Sequence, residues 1–158
     1  MNIRPVQEAD VEKLLELIRG LAEYERLTHT FKVTAEGLRE HLFGEPRYAE
    51  ALLAESDGHP VGYALYFHTY STFLGRPSLY LEDLFVLPSF RGGGLGKRLL
   101  AEVTRVARTR GCAHLEWAVL DWNRPAIDFY ERLGAKPNAD WQTYRLDGEA
   151  LESLADSI

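Results

Sequence analysis

The chain has 158 residues, 46% hydrophobic and 27% charged, an ordinary balance for a globular protein long enough to bury roughly two-thirds of its unfolded surface. Its formal charge of −6 argues against nucleic acid as a main partner and fits a neutral or cationic small molecule. One cysteine, Cys112, excludes an internal disulfide and a thiolate metal cluster; the five histidines lack ligand spacing, so no metal is expected, and no apolar run suits a membrane, so a cytoplasmic location is expected.

In chain order, Ile3 to Val6 reads as a short strand, followed by a helix whose apolar positions Val11, Leu14, Leu15, Ile18, Leu21 and Ala22 recur at helical spacing. Thr34 and Gly44 bracket a second helix as N-cap and stop. Strand-like runs Ala49 to Glu55 and Val61 to Tyr70 flank Asp57-Gly58, a hairpin signal. The strand Leu79 to Val86 then leads to a glycine-rich loop and a helix with Leu95, Leu99, Val103, Val106 and Ala107 on one face. A strand from Ala113 to Val119 follows. Asn123 as cap, Pro125 in the first turn and Gly134 as terminator then define a short helix. Trp141 to Leu146 reads as a late strand before a closing helix from about Glu149. No repeat or linker interrupts the chain, so a single mixed α/β domain over 1–158 is expected.

The glycine-rich loop carries the most chemistry. A strand that ends in glycines and continues as a helix aims unpaired backbone N–H groups and the helix dipole at one spot, which suits a phosphate. Gly92, Gly93, Gly94 and Gly96 remove the Cβ atoms that would hold a ligand away. A Walker loop would need glycine at Arg91 and Ser or Thr at Arg98. A dinucleotide fingerprint would need Gly or Ala at Lys97 or Leu99, depending on its start. Both spacings fail.

The spacing that remains is R-x-x-G-x-G, formed by Arg91, Gly94 and Gly96. It resembles the acetyl-coenzyme A signature of the GNAT superfamily of N-acetyltransferases. Ile3-Arg4-Pro5, Tyr80-Leu81-Glu82-Asp83, Asn123-Arg124-Pro125-Ala126 and Phe129-Tyr130 extend the resemblance over nearly the whole chain, closest to the diamine and thialysine acetyltransferases. It implies a central mixed, mostly antiparallel sheet flanked by helices, acetyl-coenzyme A as donor, a small amine as acceptor, and a homodimer.

Site residues follow from the same resemblance. Gly92 to Lys97, including Leu95 and Gly96, are expected at the pyrophosphate, with Arg91 and Lys97 as charge partners. The backbone of Leu84, Phe85 and Val86 is expected to pair with the pantetheine arm like an added strand and to supply oxyanion donors. Asn123 and Ala126 match coenzyme A contacts of the family. Tyr24, Glu25, Glu82, Asp83, Glu116, Trp117 and Ala118 match its acceptor region.

The reaction explains these residue types. An alkylamine is protonated at neutral pH and must lose a proton before it attacks a thioester, so a base is required. Glu82 is the candidate base, and Tyr130 matches the family acid that protonates the departing sulfur. Glu82 and Asp83 are neighbours on an apolar strand, where an ionised carboxylate needs a cleft, a partner or a raised pKa. Phe73, Glu131 and Gln142 stand where the polyamine enzymes tend to have Trp, Lys and Arg. These departures bear on the acceptor wall and on donor or dimer contacts, not on the acyl-transfer set.

Overall fold

A computed structural model describes residues 1–157. The chain divides into two units, Met1–Leu120 and Asp121–Ile158. The first contains a five-stranded sheet in the order β1-β2-β3-β4-β5, built from β1 (Asn2–Pro5), β2 (Glu50–Ser56), β3 (His59–Ser71), β4 (Arg76–Val86) and β5 (Leu115–Trp117). β1 to β4 pair antiparallel, whereas β5 runs parallel to β4 because helix α3 (Leu95–Thr109) intervenes as a crossover. The mixed, mostly antiparallel sheet expected from sequence is present.

Local chemistry explains the elements. Pro5, which cannot donate to a ladder, lies on the edge strand β1. Asp57 and Gly58 both have positive φ, 51° and 78°, the conformation of a two-residue turn between right-twisted strands. Helix α2 (Ala35–Phe43) opens with the Gly37 N–H donating to Thr34 Oγ1 at 3.1 Å, and buries Leu38 and Leu42. Helix α1 (Val11–Tyr24) buries Val11, Leu14 and Leu17, with Leu15, Ile18 and Leu21 half-buried beside them. Leu17 thus joins the apolar face that the spacing predicted. Similarly, Leu100 replaces Val106 among the fully buried residues of α3.

The register assigns residues to faces. Ala51, Leu53, Tyr63 and Phe85 pack with α1 and α2 in one core. Across the sheet, Gly62 takes a close approach: an added Cβ would stand 2.7 Å from the Phe85 carbonyl oxygen and 3.4 Å from Leu99 Cδ1 of α3. β4 begins at Arg76, three residues before the expected Leu79, since the hairpin through Gly75 extends its ladder with β3. The expected strand from Ala113 to Val119 shortens to the three residues of β5, where the ladder with β4 ends.

The second unit contains α4 (Arg124–Arg132) and α5 (Gly148–Ala155). Asn123 caps α4 by accepting from the Ala126 N–H, Pro125 lies in its first turn, and Gly134 follows at φ 90°. The strand expected at Trp141 to Leu146 is not formed among the described residues. A strand needs a ladder, and this stretch has no regular pairing; Trp141 and Tyr144 are exposed. No helix among the described residues is long and apolar enough to cross a membrane.

Candidate active site

Two irregularities of β4 create the site in the first unit. Leu65 pairs with Asp83 while the next residue, Tyr66, pairs with Leu81, so Glu82 is the extra residue of a β-bulge. The bulge inverts the alternation of the strand: Asp83 and Phe85 fall on the Tyr63 face, opposite to Leu79 and Leu81. The ladder with β5 covers only Leu79 to Leu81. From Asp83 to Val86, β4 keeps its ladder with β3 after the β5 ladder has ended. The Phe85 carbonyl faces Gly62 and the Leu87 N–H donates to the Val61 carbonyl, so the backbone groups turned away from β3 are those of Leu84 and Val86, of which the Val86 carbonyl accepts from Arg91.

Three carboxylates gather at the bulge. Glu82 is exposed, Asp83 is partly exposed, and Glu25 reaches them from the end of α1. Burial, opposed by a hydrogen bond from Tyr63 and reinforced by the charges of Glu82 and Glu25, pushes the Asp83 carboxyl up to about 6. Burial, with the Glu82 charge, also raises Glu25. Tyr80 is raised by burial and by Glu82 and Glu116, which links Glu116 on β5 to the same acidic surface. Glu116 also lies 3.3 Å from His114 Nε2. Among the described residues no group of three His, Cys, Asp or Glu has the arrangement of a metal site. This edge of the sheet thus gathers Glu25, Glu82, Asp83 and Glu116 on an acidic surface.

The donor side adjoins it in sequence and in space. Gly92 and Gly94 have φ of 83° and 79°, and space is open around an added Cβ at 92, 93 and 94, so the loop resists side chains through backbone conformation. α3 starts at Leu95 with Gly94 as cap, no side-chain cap and no acid in its first turn. Its leading N–H groups, with Gly96 and Lys97 beside them, form an end that favours an anion. These features fit the pyrophosphate of coenzyme A.

Arg91, expected as a phosphate partner, also makes contacts within the chain. Its Nε donates to the Val86 carbonyl at 2.8 Å, and its guanidinium lies 4.6 Å from the Tyr24 ring centroid and 5.5 Å from that of Phe85. Arg91 therefore ties the glycine loop to the end of α1 that carries Tyr24 and Glu25. Gly20, one turn earlier on α1, lets the helix approach: an added Cβ would stand 3.1 Å from the Phe85 ring.

Within the first unit the structure brings together Glu25, Glu82, Asp83 and Tyr63, with Tyr24, Phe85 and Arg91 adjoining. Trp117 ends β5 and the exposed Ala118 lies just beyond it. In the second unit, Asn123 caps α4, which carries Ala126 and Tyr130, with Tyr130 half-buried and its ring centroid 5.2 Å from that of Phe129. Tyr63 and Gly20 escaped the sequence reading. A tyrosine in an apolar strand reads as core, and a mid-helix glycine gives no hint of what it packs against.

Residues 11–135 match the acetyltransferase (GNAT) family. The chain belongs to that family. It is 43% identical to thialysine N-epsilon-acetyltransferase of Bos taurus, over 97% of this chain and 96% of that one. It is 30% identical to L-ornithine N5-acetyltransferase of Arabidopsis thaliana, over 97% and 87%. Among solved structures, an integron cassette protein from the mobile metagenome of V. cholerae superposes with a TM-score of 0.83 at 25% identity, covering 98% of this chain and 97% of that one. The GNAT membership makes this chain an acyltransferase.

Proposed function

We propose that this acetyltransferase moves an acetyl group from acetyl-coenzyme A to the primary amine of a small cationic acceptor, thialysine-like or a polyamine, by direct attack in a ternary complex. The observation that carries the reading is the gathering of Glu25, Glu82 and Asp83 at the β4 bulge, where burial and like charge raise Asp83 and Glu25, beside the strand edge that the β5 ladder leaves beyond Leu81. The relatives named for thialysine and L-ornithine, both amine-bearing amino acids, support the acceptor class.

The donor pyrophosphate takes the N–H groups of Gly92 to Lys97, and its pantetheine arm pairs along Leu84 to Val86. Asn123 and Ala126 add donor contacts. The acceptor cation meets Glu25, Asp83 and Glu116, with Tyr24, Trp117 and Ala118 as walls. Glu82, exposed at the bulge, takes the amine proton directly or through water. The amine nitrogen then attacks the thioester carbonyl to give a tetrahedral oxyanion; as this collapses the C–S bond breaks, Tyr130 gives its proton to the leaving sulfur, and the second proton shed by the nitrogen restores the phenol. Backbone N–H groups near Phe85 and Val86 stabilise the oxyanion. The family match runs from 11 to 135, across the division at Leu120, which supports one functional domain. The resemblance further supports a homodimer that needs neither nucleic acid nor membrane, working in the cytoplasm.

The test is thiol release from acetyl-coenzyme A with thialysine, lysine, ornithine, polyamines, aminoglycosides and a lysine peptide. Turnover with a small diamine or thialysine is expected, falling roughly 10²-fold in Tyr130→Phe while coenzyme A binding persists. Coenzyme A binding with no transfer to any amine would instead indicate a non-catalytic acyl-coenzyme A binding module.

A further inference from the structure

We infer that Tyr63 is a positioning residue for the acceptor step: its phenol, fixed inside the core, holds the Asp83 carboxylate in place at the bulge to meet the acceptor cation. This rests on the amine-acetylating reading above. Tyr63 is fully buried, and its hydroxyl donates to Asp83 Oδ2 at 2.9 Å. The two are diagonal neighbours on one face only because the bulge at Glu82 inverts the alternation of β4. With an unbulged register, Asp83 would share the face of Leu79 and Leu81, away from the phenol.

A purely structural role for the hydroxyl explains less. Tyr63 sits in the apolar cluster with Leu14, Leu53 and Phe85, where phenylalanine would fill the same space and bring no hydroxyl to satisfy. The hydroxyl is satisfied by a carboxylate that burial and the charges of Glu82 and Glu25 drive toward protonation. Glu82 lies beside Asp83 on β4, Glu25 approaches from the end of α1, and Tyr63 faces it from β3. Of these, only the Tyr63 hydrogen bond favours the ionised carboxylate. The phenol stays a donor throughout the working pH range, since burial and the three carboxylates push its own ionisation far upward. Tyr63 therefore sets both the aim and the charge of Asp83 from a position that touches neither substrate.

The test compares wild type, Tyr63→Phe, Asp83→Asn and the double variant, each checked for folding by its melting curve. Turnover is measured against pH, and the Asp83 side-chain carboxyl is followed by carbon NMR in the wild type and Tyr63→Phe. The expected result is a loss of kcat/KM for the amine of about fivefold or more at pH 6.5 that shrinks below about twofold at pH 8.5, since the variant's Asp83 titrates at higher pH. Taking the ratio to wild type at each pH cancels the titration of the amine itself. The KM for acetyl-coenzyme A should not change. In the Asp83→Asn background, Tyr63→Phe should have no further effect, because its partner's charge is gone. A pH-independent loss that persists in that background, or an unmoved Asp83 midpoint, would overturn the inference. A wild-type chain that acetylates no amine would overturn the functional reading and the acceptor role with it. The Asp83 midpoint is read without turnover, so the two failures remain distinct.

Discussion

Two clusters of carboxylates occupy this sheet, and the chain treats them in opposite ways. At the β1 edge, Arg4 donates to Asp10 at 2.7 and 3.0 Å and to Glu55 at 2.7 and 3.3 Å. The Gln7 N–H adds a third donor to Asp10. The Arg4 hydrogen bond holds the Asp10 carboxyl below the usual range, despite burial. At the β4 bulge, Asp83 has one phenol and two like charges, and its carboxyl rises to about 6. The first cluster satisfies its charges within the chain and fixes the opening strand against β2 and the turn before α1. In the second, burial and like charge raise the carboxyl instead of lowering it, a perturbation that, on the function proposed above, an acceptor cation would relieve.

The sharpest way to break this comparison is Asp83→Asn. The amide keeps an oxygen for the Tyr63 hydroxyl and removes the charge, so kcat/KM for the amine should fall roughly 10²-fold. Stability should move the other way. Asp83 has a raised native pKa, so its ionisation weakens the fold; that penalty is fully present above about pH 6 and fades as pH falls toward the ordinary carboxylate value. The variant should therefore melt higher than wild type at pH 8, by a margin that narrows toward pH 5. A variant that loses activity and also melts lower at pH 8 would show that the charge is satisfied within the fold, as it is at Asp10.

Arg4→Ala probes the other cluster. It strands Asp10 and Glu55, whose side chains keep only 11% and 18% of their exposure, and should cost about 1–3 kcal/mol in denaturant unfolding with kcat nearly unchanged. Asp10 has a lowered native pKa, so its stabilisation is present above the ordinary carboxylate pKa and is lost as pH falls through the lowered value. The stability gap between wild type and variant should accordingly close in acid, below about pH 4. A gap that is constant from pH 7 to pH 3 would mean that Arg4 acts through packing of its stem rather than through its charge.

The same contrast separates what the sequence made legible from what it did not. The Thr34 cap, the Asp57-Gly58 turn, the glycine-led start of α3 and the Asn123 cap are local devices, each written in two to four adjacent residues, and the structure contains all of them. The Glu82-Asp83 pair is visible in the sequence as charge in an apolar strand, but which face each residue takes is not. The bulge that decides this depends on how β4 registers against β3, and no residue in β4 announces a one-residue slip. Tyr63 was hidden for the same reason, since its partner is 20 positions away. The R-x-x-G-x-G motif likewise says nothing of the contacts that Arg91 makes with Tyr24 and the Val86 carbonyl, which arise from tertiary packing. Local punctuation was readable, whereas long-range register was not.

The smallest expected effect concerns how α1 is held against that register. Gly20 lies inside a helix, where alanine would ordinarily add about 1 kcal/mol of stability. An alanine Cβ there would stand 3.1 and 3.2 Å from Phe85 Cζ and Cε1, tighter than ordinary contact, so the ring must give by a few tenths of an ångström. Phe85 is 4% exposed and packs against Tyr63 and the Arg91 guanidinium. The gain in helix propensity and the cost of crowding should nearly cancel in Gly20→Ala, leaving unfolding stability within about 1 kcal/mol of wild type. The displaced ring, however, presses on the residues that join the acceptor carboxylates to the glycine loop. A rise of about two- to threefold in KM for both substrates is therefore expected, with the melting temperature nearly unchanged. Full recovery of the helix-propensity gain with both KM values unaltered would show that Phe85 yields freely, and that the close approach of α1 serves packing alone.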